Sequence, residues 1–351
     1  MQGNFLLYGA NGYTGQLIAR LAVERDLRPI LAGRNHAQIA SRAAELGLDY
    51  RIAALDDATA LDAALDDVAL VLHCAGPFSR TSQPMADAAL RTRTHYLDIT
   101  GEIAVFEMLA ARDAEAQGAG VVLLPGVGFD VVPSDCLALH LKTLLPTATR
   151  LTLAIMGTGR ISHGTATTMA INIHRGGLVR RGGRLTPVPA AWRTRAIDFG
   201  RGPLSATTIP WGDVATAYYS TGIPDIEVYA VMPAALRLLM KASRPFASLL
   251  ATPVVQNFLK RRIDAQPAGP SDEERARGHS YVWGEVVDAS GACKVARQRG
   301  PEGYTLTAHA ALAIVARVLV GAVKPGFQTP ARAYGADFVL TIDGVTREDL
   351  A

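Results

Sequence analysis

Three glycines at positions 9, 12 and 15 carry the first chemical signal in this chain. The run Gly9-Ala10-Asn11-Gly12-Tyr13-Thr14-Gly15 follows an apolar stretch at 5–8 and opens a helical stretch near 16–25. Glycine lets a backbone turn sharply and approach a pyrophosphate. The N-terminus of the next helix adds N–H donors and a partial positive charge. Asn11 stands where the commoner Gly-x-Gly-x-x-Gly pattern has its middle glycine. The competing reading is a tight strand-to-helix turn with no ligand.

The end of the second apolar run, Ala32-Gly33-Arg34-Asn35, selects among dinucleotides. An NAD site places a carboxylate there to accept from the ribose 2′-hydroxyl. None is present, and the planar fork of Arg34 matches a 2′-phosphate, so the pattern points to NADP. Asp56, after the third run, falls where the adenine edge would lie, or else caps a helix. Cys74-Ala75-Gly76-Pro77-Phe78 closes the fourth run, on the path of the ribose and nicotinamide. Cys74 itself reads as a small buried residue rather than a nucleophile.

Hydride transfer is the cofactor's chemistry, so the protein must position an acceptor and handle a proton. The best-placed polar groups follow the fifth and sixth runs: Asp98, Thr100 and Glu102, then Asp130, Ser134 and Asp135. Asp130 is the first choice for orienting nicotinamide or substrate. Helix capping is the competing role for Asp130 and Ser134. Tyr96 is a proton-donor candidate whose mid-strand place also suits a core residue. His163 and His174 are candidates of the same kind, with structural roles as the alternative.

Between Arg160 and Arg201 stand eight arginines, no lysine and one acid, Asp198, for a charge of +7. Arg175, Arg180, Arg181 and Arg184 lie among glycines there, and guanidinium forks suit a carboxylate or phosphate on a substrate or an acidic carrier protein. The alternative is a solvated face pairing with acids elsewhere. Residues 234–264 form a second basic stretch of +5, in which Arg237, Lys241 and Arg244 have one-face helical spacing among leucines. It fits a membrane surface or a cover over an apolar substrate, or a helix packed on its own domain or on a second subunit.

These residues need a scaffold that sets them at strand ends. Short apolar runs at 5–8, 29–32, 50–54, 68–74, 96–99 and 121–124 alternate with alanine-rich helical stretches. That rhythm predicts a Rossmann, doubly wound parallel sheet in the α/β class. Beyond residue 144, strands are expected at 151–156, 226–232, 280–287 and 292–299, the last two joined by a turn at Asp288-Ala289-Ser290-Gly291. Helices are expected near 163–173 and 308–320. This half reads as an α+β domain on a mainly antiparallel sheet. The expected division is an NADP-binding domain at 1–135, a substrate and dimerisation domain at 136–325, and a C-terminal segment at 326–351 packing back on the first.

The 351 residues are 49% hydrophobic and 19% charged with a net charge of +3, which fits a globular chain and argues against a nucleic-acid binder. Three scattered cysteines give neither metal-ligand spacing nor a disulfide framework. With no basic leader at Met1-Gln2-Gly3-Asn4 and no long apolar run, a cytoplasmic protein is expected, with contact to the inner membrane face through 234–264 as an option.

Taken in order, Gly9–Gly15, Ala32–Asn35, Cys74–Phe78, Tyr96–Glu102 and Pro125–Asp135 resemble the saccharopine dehydrogenase-like oxidoreductases. The likeness continues in Trp211-Gly212-Asp213, in Ser220–Pro224 and in Tyr304–Ala308. The branch most resembled contains trans-acting enoyl reductases. The resemblance implies an N-terminal NAD(P) domain, a C-terminal substrate domain and NADPH-dependent reduction of an enoyl thioester. An amino-acid dehydrogenase acting on a C–N bond and a non-catalytic dinucleotide-binding scaffold remain as alternatives. A small-molecule or carrier-bound acyl substrate, a homodimer and no metal are expected.

Overall fold

The computed structural model describes residues 4–242 and 244–350. The chain divides into two compact units, Met1–Val132 with Tyr304–Ala333, and Pro133–Gly303 with Tyr334–Ala351.

In the first unit, β1 (Phe5–Tyr8), β2 (Ile30–Gly33), β3 (Tyr50–Ile52), β4 (Leu70–His73), β5 (His95–Asp98) and β6 (Val122–Leu124) form a parallel sheet. Their spatial order is 6-5-4-1-2-3, the doubly wound arrangement expected of the alternating pattern. β1, β2 and β4 are buried along their whole length because helices cover both faces, which is why they read as unbroken apolar runs. A seventh strand, Gly326–Phe327, adds parallel to β6. Helix Gly303–Leu319 belongs to this unit and buries residues on nearly every side, from Leu306 to Val318. The linear boundaries are corrected here. Residues 304–333 fold with the first sheet, and only 326–333 of the terminal segment do so, while 334–350 join the second unit.

The second unit is built on β7 (Ala148–Gly157), β8 (Gly177–Arg181), β9 (Arg184–Val188), β10 (Thr194–Asp198), β11 (Pro203–Thr208), β12 (Asp225–Val231), β13 (His279–Asp288) and β14 (Cys293–Pro301). The main path runs β10-β11-β12-β7-β13-β14 and ends on strand Thr346–Leu350. All its pairings are antiparallel except β12 with β7. Helix Val132–Leu144 lies on one face so closely that a Cβ at Gly284 would come within 2.6 Å of Leu141. The sheet is strongly curled. Arg195 on β10 makes two bonds of 2.7 and 2.6 Å to Glu285 on β13, four strands away. A flat sheet would separate them by about 19 Å at ~4.8 Å per strand. The concave side is filled by Met156, Ile197, Phe199, Tyr229, Tyr281 and Trp283.

The four sequence-predicted strands of this half correspond to β7, β12, β13 and β14. The hairpin turn is closed by Asp288, whose Oδ1 accepts from the amides of Ser290 and Ala292. β8–β11 and Thr346–Leu350 had no clear alternation to announce them.

Candidate active site

The glycine turn is held by its own backbone. Gly9 N–H donates to Ala32 O at 2.8 Å, and Gly12 N–H to Gly9 O at 3.0 Å. Gly9 has φ +83°, and a Cβ there would lie 2.8 Å from Ala75 N, so this position needs glycine for packing alone. At Gly15 a Cβ would sit 2.3 Å from Gly9 O. Gly12 is different. It is exposed, has ordinary β-region backbone angles, and a Cβ would meet only Gly9 O at 3.3 Å. It caps helix Tyr13–Glu24, whose first turn no side chain caps. An open glycine at an uncapped helix start fits a pyrophosphate, so the residues present suit a dinucleotide. Asn11 braces the turn, donating to Gln38 Oε1 while its carbonyl accepts from Gln16. A cleft of about 390 Å³ lined by Asn11, Gln16, Gln38, Ser41 and Arg42 adjoins it.

Arg34 is exposed at the end of β2 and makes no side-chain hydrogen bond among the described residues, which leaves its fork available. Asn35 accepts from Gln38 N–H and caps helix His36–Leu46. Asp56 is exposed, and Asp57 rather than Asp56 caps the next helix. Arg34 and Asp56 both act on Tyr8, whose hydroxyl donates to Ala53 O and whose pKa burial pushes up to about 12.

Cys74 is half-buried, and burial holds its thiol protonated, so it is no nucleophile. Beneath it His73 is fully buried among Tyr8, Phe78 and Tyr96, and burial drives it down to about 3, so the ring stays neutral. Glu102 accepts from Phe78 N–H at 2.7 Å and Ser79 N–H at 3.2 Å, and so occupies the start of helix Phe78–Thr92.

Asp98 and Asp130 lie at the carboxyl ends of β5 and β6, where doubly wound sheets hold ligands. Asp98 is fully buried and accepts from Tyr96 Oη at 2.6 Å, Thr100 N–H at 2.9 Å and Gly126 N–H at 3.0 Å. Burial raises its pKa to about 6 against these bonds. The Tyr96 candidacy is corrected by this contact. Its hydroxyl is sealed from solvent, bonded to Asp98 and held well above its ordinary pKa by burial. Asp130 is half-buried, and burial raises it to about 6. Its carboxylate rests on Gly101, where a Cβ would be 2.8 Å from Oδ2. Thr307, on the distant helix Gly303–Leu319, fixes this loop by accepting from Phe129 N–H at 3.0 Å. Sequence reading named Thr307 only within the motif Tyr304–Ala308 and missed this role, because its partner lies 178 residues away.

In the second unit the arginine hypothesis is corrected in part. Arg180 is buried, bonded through Nε to Val214 O and Nη1 to Gly183 O, and lies 4.2 Å over Tyr218. Arg181 and Arg193 share Glu227, and Arg195 holds Glu285. Arg180 and Arg181 are therefore structural. Arg175 and Arg184 stay exposed with no partner among the described residues. His174 is half-buried with Nδ1 unpartnered among those residues, and His163 Nε2 meets Gln266 O at 2.6 Å. Ser134 and Asp135 are buried and bond Asp213 and Ser220, so three of the sequence motifs lock together inside this unit. No group of His, Cys, Asp and Glu among the described residues could hold a metal ion.

The first unit thus has the fold of a dinucleotide-binding domain, with an open glycine at the start of its first helix. Residues 5–124 match the family model of the saccharopine dehydrogenase NADP binding domain. Over those residues the first unit is similar to that NADP-binding domain. A trans-acting enoyl reductase of Mycobacterium leprae (strain TN) is 35% identical over 142 residues, 38% of this chain and 34% of that protein. A saccharopine dehydrogenase-like oxidoreductase of Mus musculus is 30% identical over 159 residues, 40% of this chain and 37% of that protein. The chain therefore matches little more than a third of these relatives' length. Apo saccharopine dehydrogenase (L-Glu forming) of Saccharomyces cerevisiae has the same overall fold, with a TM-score of 0.70 over 99% of this chain and all of that one at 13% identity.

Proposed function

We propose that this chain is an NADPH-dependent oxidoreductase that reduces the C=C bond of an enoyl group in an anionic, partly apolar thioester. The observation that carries the reading is the pairing of an open phosphate-binding turn with a carboxyl poised near neutrality, Asp130, at the end of β6. Bound there, NADPH supplies a hydride. Gly12, the first turn of helix Tyr13–Glu24 and Arg34 hold its phosphates, and residues 74–78 border its path. Asp130, with a pKa of about 6, can hold or release a proton at working pH. Arg175 and Arg184 are the remaining arginines of the first basic stretch's glycine-rich core for an anionic substrate group or an acidic carrier protein, and His174 is a second proton-transfer candidate. A homodimer in the cytoplasm completes the reading.

The test is NADPH oxidation, followed by absorbance, with a short enoyl thioester and separately with a keto acid plus an amine. Oxidation by the enoyl thioester is expected, and Asp130→Asn should slow it by about 10²-fold or more, the usual weight of a positioned proton donor. Oxidation only with the keto acid and amine replaces C=C chemistry by C–N chemistry. Tight NADPH binding without turnover on any acceptor leaves a scaffold.

We further propose that residues 234–264 contact an anionic membrane surface. Helices Ala234–Ala242 and Pro253–Asp264 bury no residue. Leu238, Leu239, Phe246, Leu249, Val254 and Phe258 are each more than half exposed. Lys241, Lys260, Arg261 and Arg262 have no acidic partner among the described residues. Exposed apolar side chains among unpaired cations suit anionic lipid headgroups. The single basic face expected for Arg237, Lys241 and Arg244 is not formed. The helix ends at Ala242, and Arg244 turns back onto Ala190 O and Ala191 O. No helix among the described residues is long and apolar enough to cross a membrane. Co-flotation with phosphatidylglycerol vesicles is expected, with loss on neutral vesicles and in a Leu238→Ser, Leu239→Ser, Phe258→Ser variant. Failure to float on anionic vesicles removes the contact.

A further inference from the structure

The curl of the second sheet places β14 opposite the turn between β10 and β11, and a cavity of about 670 Å³ opens between them. Its chemistry follows from register. Arg299 pairs with Tyr281 and Arg297 with Trp283, so both arginines rise from the same face of β14. Across the cavity the turn at 199–202 carries Arg201. Asp198 Oδ1 holds that turn by accepting from the amides of Gly200, Arg201 and Gly202. Gly200 has φ +92°, and a Cβ there would fall 2.9 Å from Arg297 Cζ. Glycine therefore lets a guanidinium lie against the turn.

Three guanidiniums, Arg201, Arg297 and Arg299, thus line the cavity with Tyr281. Arg201 is 3.5 Å from its hydroxyl and 6.0 Å from its ring centre. Arg299 donates to His279 Nε2 at 3.0 Å, which places that ring's proton on Nδ1. Neither Arg201 nor Arg299 has an acidic partner among the described residues. Arg297 is held by Glu348 through Nε and Nη2 at 2.9 and 2.8 Å, which leaves Nη1 outside that pair. Arg347 also borders the cavity but bonds Asp337, and its register position opposite Gln298 puts it on the other face. The acids nearby, Glu348 and Asp198, are each engaged in the local bonds described.

We infer that this cavity is a binding site for a phosphoryl group carried on a small organic molecule. Two planar forks without acidic partners, Arg201 and Arg299, backed by Arg297 lying against the glycine turn, present N–H donors to the oxygens of a tetrahedral dianion. The volume exceeds that of phosphate and leaves room for an attached group beside His279 and Tyr281. The site lies wholly within the second unit and does not rest on the reductase reading.

The experiment is thermal unfolding and calorimetric titration of the full chain with inorganic phosphate and with phenyl phosphate, each with and without saturating NADP⁺. Phosphate is expected to bind whether or not NADP⁺ is present, and phenyl phosphate more tightly than phosphate. The double variant Arg201→Gln, Arg299→Gln should bind phosphate about tenfold or more weakly, the scale of lost charge-assisted bonds, with its response to NADP⁺ unchanged. Glu348→Gln should bind several-fold more tightly, an outcome that misfolding does not mimic. Undiminished phosphate binding by the double variant overturns the site, as does complete competition between phosphate and NADP⁺. A chain that ignores NADP⁺ but binds phosphate through Arg201 and Arg299 refutes the reading of the first unit and leaves this one standing.

Discussion

Replacing Gly12 by valine is expected to leave the first unit folded and to weaken NADPH binding by about a hundredfold, at 1.4 kcal/mol per decade. The three glycines of the turn are not equivalent. A side chain at Gly9 strikes Ala75, and one at Gly15 strikes Gly9 O, so both substitutions break the turn itself. Overpacking of that kind costs about 1–3 kcal/mol of fold stability before any ligand is involved. Gly12 has φ −75° and ψ 161°, which valine adopts, and a Cβ there meets only Gly9 O, at 3.3 Å, a contact relieved by a shift of a few tenths of an ångström. A side chain there presses only lightly on the turn and takes the space of an incoming phosphate. Arg34→Ala adds the cofactor choice. It should weaken NADPH by roughly 1.5–3 kcal/mol, the value of hydrogen bonds to a charged group, and leave NADH unchanged. Fluorescence titration of both nucleotides, with the melting temperature as the control for folding, reads these outcomes. An unaltered NADPH affinity in Gly12→Val would mean that the turn cradles nothing.

Asp98→Ala is expected to destabilise the protein by about 3–9 kcal/mol, because three buried donors lose their acceptor at roughly 1–3 kcal/mol each. Tyr96 Oη, Thr100 N–H and Gly126 N–H all converge on this carboxylate and join the ends of β5 and β6. Asp98→Asn retains an acceptor for the two amides, and Tyr96 can accept from the new amide. The two variants separate through pH. Folding raises the Asp98 pKa from 3.8 to about 6, so the folded state binds the proton more tightly. Its contribution is complete below the unfolded value, declines as the pH rises toward 6, and is constant beyond it. The decline is worth about 3 kcal/mol at 1.36 kcal/mol per unit. The stability of the parent relative to Asp98→Asn should therefore fall by that amount between about pH 4 and pH 7 in denaturant titrations. A flat difference would show that Asp98 titrates as an ordinary carboxylate, and an Asp98→Ala variant as stable as the parent would deny it the joining role.

The sequence by itself determined the first sheet and its cofactor class. Unbroken apolar runs at β1, β2 and β4 can be buried only between two layers of helix, and that burial leaves a periodic mark in the chain. The glycine turn and Arg34 were legible for a similar reason, since both act through backbone shape and residue type within a few positions. Asp130 was legible as a polar residue just past a strand. The tertiary structure decided what each polar side chain has for company. Tyr96 became a buried donor to Asp98, Arg180 became a core residue under Tyr218, and Thr307 arrived from a helix 178 residues away to hold the loop of Asp130. Residues 304–333 likewise left the second domain for the first sheet. Arg201 met Arg297 and Arg299 only through the curl of the second sheet, set by ion pairs and a concave core that link strands far apart in sequence. Local pattern records which faces a segment buries. It does not record the partner across the gap, because that is set by closure of the chain on itself.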